Sequence, residues 1–154
     1  MSEMNRRELG LALSAFAMLG SLAAQGQSGG SPEDGKLVHS EVFSYDKLPV
    51  KTAPNGVTSR AVVHGTLATG EFIEVHETML PAGEMPHPPH RHTHSELLMI
   101  RDGELLVDSD GQRGVVRAGD VVFTASAVLH SLKNVGTGPA SYFVVAVGIQ
   151  KAIA

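Results

Sequence analysis

Four of the chain's eight histidines, His87, His90, His92 and His94, crowd into one short stretch that Glu96 follows at once. Neutral imidazole nitrogens beside a hard carboxylate oxygen are the donors a divalent transition metal takes. His90 and His92 stand two apart, so on a strand they share one face, roughly 7 Å apart. Both can then reach one ion. On the same straight strand Glu96 would lie roughly 20 Å from His90, too far to share it. Either Glu96 is not a ligand or the chain turns between His92 and Glu96.

Composition narrows the classes of function. The chain has 154 residues, 42% of them hydrophobic, enough for one domain with its own core. A net charge of −4 gives no electrostatic footprint for nucleic acid. Aromatics make up only 5% and tryptophan is absent, which disfavours base-stacking platforms. Cysteine is absent as well, so disulfides, thiolate metal sites and a thiol nucleophile are excluded. His39, His64 and His76 stand alone in sequence and read as surface or internally satisfied histidines.

The start of the chain does not read as part of the fold. Arg6 and Arg7 precede an apolar run over residues 9–24, followed by a polar, Gly/Ser-rich stretch. That order is a secretory signal peptide, with cleavage expected between Ala23 and Gln27. The run lacks the polar face of an amphipathic helix and is short for a membrane span. Its paired arginines resemble a twin-arginine signal, although Asn5 before them and Glu8-Leu9 after them depart from that pattern. The expected organisation is a signal peptide over residues 1–26, a flexible linker over 27–36 and one domain over 37–154. The mature protein is expected to be periplasmic or secreted, with no membrane contact beyond the signal.

Short strands must position the histidines. The alternation predicts strands over residues 38–45, 59–67, 71–80, 97–101, 105–108, 121–124 and 141–149, with a loop over 49–56. Asp102-Gly103 and Asp110-Gly111 are hairpin signals, and Gly119-Asp120 is a third turn. The absence of helical periodicity after residue 35 makes the fold class all-β, a sandwich or barrel. In the strand over 71–80, the Ile73, Val75 and Met79 face is expected to be the core face, with Glu77 toward an end.

The chemistry-bearing residues resemble the two motifs of the cupins. Gly83, His90-Arg91-His92, Glu96 and Gly103 resemble the first motif, with three residues between His92 and Glu96 and six between Glu96 and Gly103. The spacer after Gly83 is one residue longer than usual. Gly119, His130 and Asn134 resemble the second, with Ala125 where proline is usual and Ala127 where glycine is usual. The resemblance covers roughly residues 60–148. It implies a cupin-like jelly-roll β-barrel around one metal ion, with His90, His92, Glu96 and His130 as its protein ligands. It also implies that the chain turns between His92 and Glu96, so that Leu98 and Ile100 point inward and Leu97 and Met99 outward. That apolar outer face suits a second sheet or a subunit contact, and a homodimer is expected.

Three histidines and one carboxylate leave two positions open on an octahedral ion, which suits iron (Fe2+) or manganese (Mn2+); nickel, cobalt and zinc are further options. Iron would support dioxygenase chemistry, and a Lewis acid would support isomerase or lyase chemistry on a small oxygen-bearing substrate. Glu96 and His94 are the candidate catalytic groups for proton handling. His87 and His94 could assist the site or simply be exposed; Met85 reads as packing, and Arg91 should point away from the metal. The competing class is a non-catalytic cupin that binds a small molecule or sugar.

Overall fold

The computed structural model describes residues 35–149. Among the described residues, ten strands and one short 3-10 helix, η1 (Tyr45–Lys47), make up the regular structure. The strands are β1 (Lys36–Leu37), β2 (Val50–Thr52), β3 (Thr58–Leu67), β4 (Phe72–Leu80) and β5 (Ser95–Asp102), then β6 (Glu104–Ser109), β7 (Gln112–Arg117), β8 (Val121–Thr124), β9 (His130–Asn134) and β10 (Ala140–Gly148). The large sheet runs β1-β3-β4-β10-β5-β8 with β2 beside β3, and the small sheet runs β7-β6-β9. Every pairing is antiparallel except the short β1–β3 contact. The all-β jelly roll expected from the sequence is what forms.

The core fills the space between the two sheets. Leu98 and Ile100 from β5, Tyr142 and Val144 from β10, and Leu80 from β4 meet Leu105 and Leu132 from the small sheet. Period two then decides what else faces inward. Glu96 shares its face with Leu98 and Ile100, and His130 shares its face with Leu132 and Asn134. One donor therefore comes from each sheet and both point into the space between.

Three local expectations are corrected. Residues 38–44 form no strand, whereas β2 occupies part of the expected 49–56 loop. In β4 the core face is the one carrying Thr78 and Leu80, at 5% and 0% exposure, and not the Ile73, Val75 and Met79 face. The apolar Ile73, Val75 and Met79 misled the pattern; Glu77 on their face is 2% exposed but lies on the outer side. There Tyr45 Oη donates to Glu77 Oε1 at 3.0 Å, and the Arg60 and Arg101 guanidiniums each lie 4.5 Å from the Tyr45 ring. A buried carboxylate is tolerated where charge and hydrogen bonds surround it. Asp102-Gly103 is not a hairpin but the corner at which the chain leaves the large sheet for the small one. Gly103 sits at φ +80, and a Cβ there would approach Ala140 Cβ to 2.5 Å. Asp110-Gly111 is a true two-residue hairpin, both residues at positive φ.

The expected signal peptide lies outside the described residues. Of the expected linker only Gly35 and Lys36 are described, and Lys36 is already paired with Thr66.

Candidate metal centre

The two halves of the site are joined through the backbone. His90 N donates to His130 O and His130 N donates to His90 O, both at 3.1 Å. The His90-Arg91-His92 segment is otherwise irregular, so it is held in place by its neighbours. Ala127 N donates to His92 O at 2.7 Å, and Arg91 Nη1 donates to Ala127 O at 2.7 Å. Arg91 therefore points outward, as expected. Ala127 adopts φ +63, the left-handed conformation that glycine takes without cost. The turn expected to carry glycine is still made.

Between His92 and β5 the chain bends, and the distance objection to Glu96 disappears. Glu96 Oε1 lies 3.1 Å from His92 Nε2, and Glu96 Oε2 lies 3.7 Å from His130 Nε2. The His90 ring centroid is 5.2 Å from that of His92 and 4.5 Å from that of His130. Ligand atoms of His90, His92 and His130 all fall within 4.8 Å of one another, as do those of His92, His94 and Glu96.

Backbone carbonyls set the tautomers. His92 Nδ1 lies 2.8 Å from His94 O, and His130 Nδ1 lies 3.0 Å from Val128 O. A carbonyl only accepts, so each Nδ1 donates and each Nε2 is turned toward the centre. His92 Nε2 and His130 Nε2, together with His90 Nδ1, are buried without a hydrogen-bond partner. Buried imidazole nitrogens turned toward one carboxylate are donors that a cation would satisfy. Burial opposes a charge on the His92 imidazole, yet the hydrogen bond and charge of Glu96 raise its pKa. Glu96 is also opposed by burial, and His92 and His94 nevertheless hold it well below the carboxylate range. His90 is driven down to about 4, first by burial and then by the surrounding histidines. The donor set fits a divalent metal.

His94 is not a free rim residue. It stacks on His92 at 3.8 Å, and its Nε2 donates to Glu96 Oε1 at 3.1 Å. That bond commits its Nε2 proton and orients the carboxylate. The His87 ring stands 4.0 Å from His90, and burial lowers its pKa.

The register also brings Glu74 and His76 inside. Ala146 pairs with Glu74 on one side and Glu96 on the other, while Val144 pairs with His76 and Leu98. Opposite residues in an antiparallel pair share a face. Glu74 Oε1 lies 3.3 Å from His76 Nδ1. The Glu74 carboxyl is lowered first by that contact, against desolvation, with His64 and His94 adding to the pull. The signal was present in the alternation of Glu74, His76 and Thr78 toward Leu80. It is masked because a polar face normally means solvent.

Residues 76–146 match the family described as the cupin domain. No curated protein sequence matches the chain. An RmlC-like cupin from Shewanella frigidimarina is 20% identical, covering 73% of this chain and 95% of that one, at a TM-score of 0.60. A predicted oxalate decarboxylase from Thermotoga maritima is 22% identical, covering 70% and 98%, at 0.58. A sugar phosphate isomerase of the cupin superfamily from Silicibacter pomeroyi is 17% identical, covering 70% and 76%, at 0.56. At these identities the likeness shows the cupin fold. Together with the family match it supports the cupin superfamily.

Proposed function

We propose that this cupin-fold chain is an exported mononuclear metalloenzyme acting on a small oxygen-bearing organic substrate. His90, His92, Glu96 and His130 would hold one divalent ion, with Fe2+ or Mn2+ the best fit to imidazole and carboxylate donors. The observation that carries the reading is the pair of buried Nε2 atoms of His92 and His130, turned by backbone carbonyls toward one carboxylate. Coordination by four protein groups leaves positions for substrate oxygen, and such an ion supplies Lewis-acid or dioxygen chemistry when bound. The chain's own contribution is to fix the ligand nitrogens and to keep Glu96 ionised. His94 holds the carboxylate orientation, and the Leu98, Tyr142 and Val144 core excludes water below.

Export is supported by Arg6-Arg7 with the apolar run after them, and a periplasmic or secreted location belongs to the same proposal. A second copy of the chain is the proposed partner, through the exposed outer face of β5 and β8. A non-catalytic ligand-binding cupin is the competing class. Metal analysis combined with oxygen uptake against catechols, flavonols, diketones and thiols tests the proposal. Substrate loss with oxygen uptake selects dioxygenase chemistry, and substrate loss without it selects isomerase or lyase chemistry. No turnover by the metal-loaded protein across this panel would favour the binding module.

A further inference from the structure

We propose that Glu74 and His76 form a proton-handling wall of the substrate pocket, facing the metal centre across Ala146. The inference rests on the metal-binding reading of His90, His92, Glu96 and His130 and adds a second functional wall to it.

Three observations carry it. The first is placement. Glu74, Ala146 and Glu96 lie side by side on neighbouring strands of the large sheet and share its inner face. Two strand spacings separate the Glu74 and Glu96 backbones by roughly 10 Å. The residue between them is alanine, so only a methyl group fills the floor of that gap. A small ligand reaching the centre from the open end would lie over it.

The second is access. Thr78 and Leu80, deeper on the same face, are 5% and 0% exposed. The Glu74 and His76 side chains retain 23% and 19%, close to the 23% of His94 and the 12% of Glu96. The face therefore changes from sealed core to solvent-reachable wall between Thr78 and His76. His94 packs over Gly148, where an added Cβ would meet it at 3.1 Å.

The third is chemistry. A carboxylate 3.3 Å from Nδ1 of an imidazole favours the tautomer with the proton on that nitrogen, so Nε2 becomes the basic one. That is the arrangement of a general base with its orienting group. The titratable neighbours are His64 across from Glu74 on β3, and His94 with Glu96 from the β5 side; along the same face β10 presents Tyr142, Val144 and Ala146. When a ligand hydroxyl ionises, its proton passes to His76 Nε2 and its electron pair stays on oxygen. Glu74 stabilises the imidazolium that results.

The test uses the full chain loaded anaerobically with Mn2+ and 4-nitrocatechol as a chromophoric probe. Wild type, Glu74→Gln and His76→Gln should each hold one Mn2+ per chain. Absorbance should then show the bound probe losing its second proton about one pH unit later in both variants, a tenfold shift. Identical ionisation in all three overturns the proposal. So does loss of Mn2+ in either variant, which would make the pair part of the metal centre. Glu74→Gln reads the same pair if His76→Gln does not fold, and failure of both to fold would make the pair structural. A wild type that takes up neither Mn2+ nor probe fails earlier, at the metal reading, and is distinguished by that.

Discussion

His90 and His130, forty residues apart in sequence, exchange both backbone hydrogen bonds at 3.1 Å. The contact is an isolated bridge outside either sheet's regular ladder. It sets two ring nitrogens beside each other before any ion is considered, because the backbone pair alone fixes where both imidazoles start. The two candidate ligands are thus brought together by a main-chain contact.

The turn that leads to His130 stores strain. Ala127 at φ +63 pays for a conformation that costs a non-glycine residue roughly 1 kcal/mol. Ala127→Gly should therefore stabilise the protein by about that amount, raising Tm by a few degrees. Its metal content should not change, because both backbone contacts of residue 127 survive. Thermal unfolding with metal analysis reads both.

Asn134 is a buried clamp. Its Nδ2 donates to Leu80 O and Gly138 O at 2.9 Å each, and its Oδ1 accepts from Gly136 N at 2.9 Å. With the residue at 0% exposure, removal leaves backbone groups unsatisfied. Asn134→Ala should destabilise by about 3 kcal/mol, counting roughly 1 kcal/mol for each lost bond. Denaturant unfolding checks it.

Acid should weaken the metal-free fold in a defined window. His90 has a pKa lowered from 6.5 to about 4, so its stabilising contribution is present above the unfolded value and lost as pH falls toward 4. His87 is shifted in the same direction. The raised pKa of His92 acts oppositely, its contribution lost as pH rises through the folded value. Glu96, shifted down, loses its contribution progressively as pH falls from the ordinary carboxylate range toward its lowered value. Tm of the metal-free protein should thus decline from pH 6.5 to 4, and His90→Gln should flatten the decline. An equally steep decline in that variant would contradict the assignment.

The outer face should mediate self-association. Leu97 and Met99 are 39% and 42% exposed, and the neighbouring Val121 and Phe123 are 61% and 64% exposed. A contiguous apolar patch of this kind favours covering by another surface. Light scattering should report a dimer, and Phe123→Lys should shift it to monomer. A monomeric wild type would contradict the pairing.

Much of this was legible in the sequence, and what was not has identifiable causes. Alternation located β3, β4, β8 and β10 to within a residue or two, and motif spacing brought His130 to His90 and His92. The inward direction of Leu98 and Ile100 also followed from period two. The face of β4 did not, because Ile73, Val75 and Met79 lie on the outer side, where Glu77 is also covered by Tyr45, Arg60 and Arg101 from elsewhere in the chain. Misassigning that face also hid Glu74 and His76 from the site. Asp102-Gly103 carries the local chemistry of a hairpin, but a glycine corner between sheets needs the same positive φ. Only the partner strands decide between the two.

The proposed centre is one metal ion held by His90, His92, Glu96 and His130. Metal analysis of protein purified from its native compartment tests it most directly, with His130→Ala alongside. One divalent transition metal per chain in the wild type, largely lost in His130→Ala, is the predicted result. A wild type that binds no such ion, or a variant that retains it in full, would contradict the account.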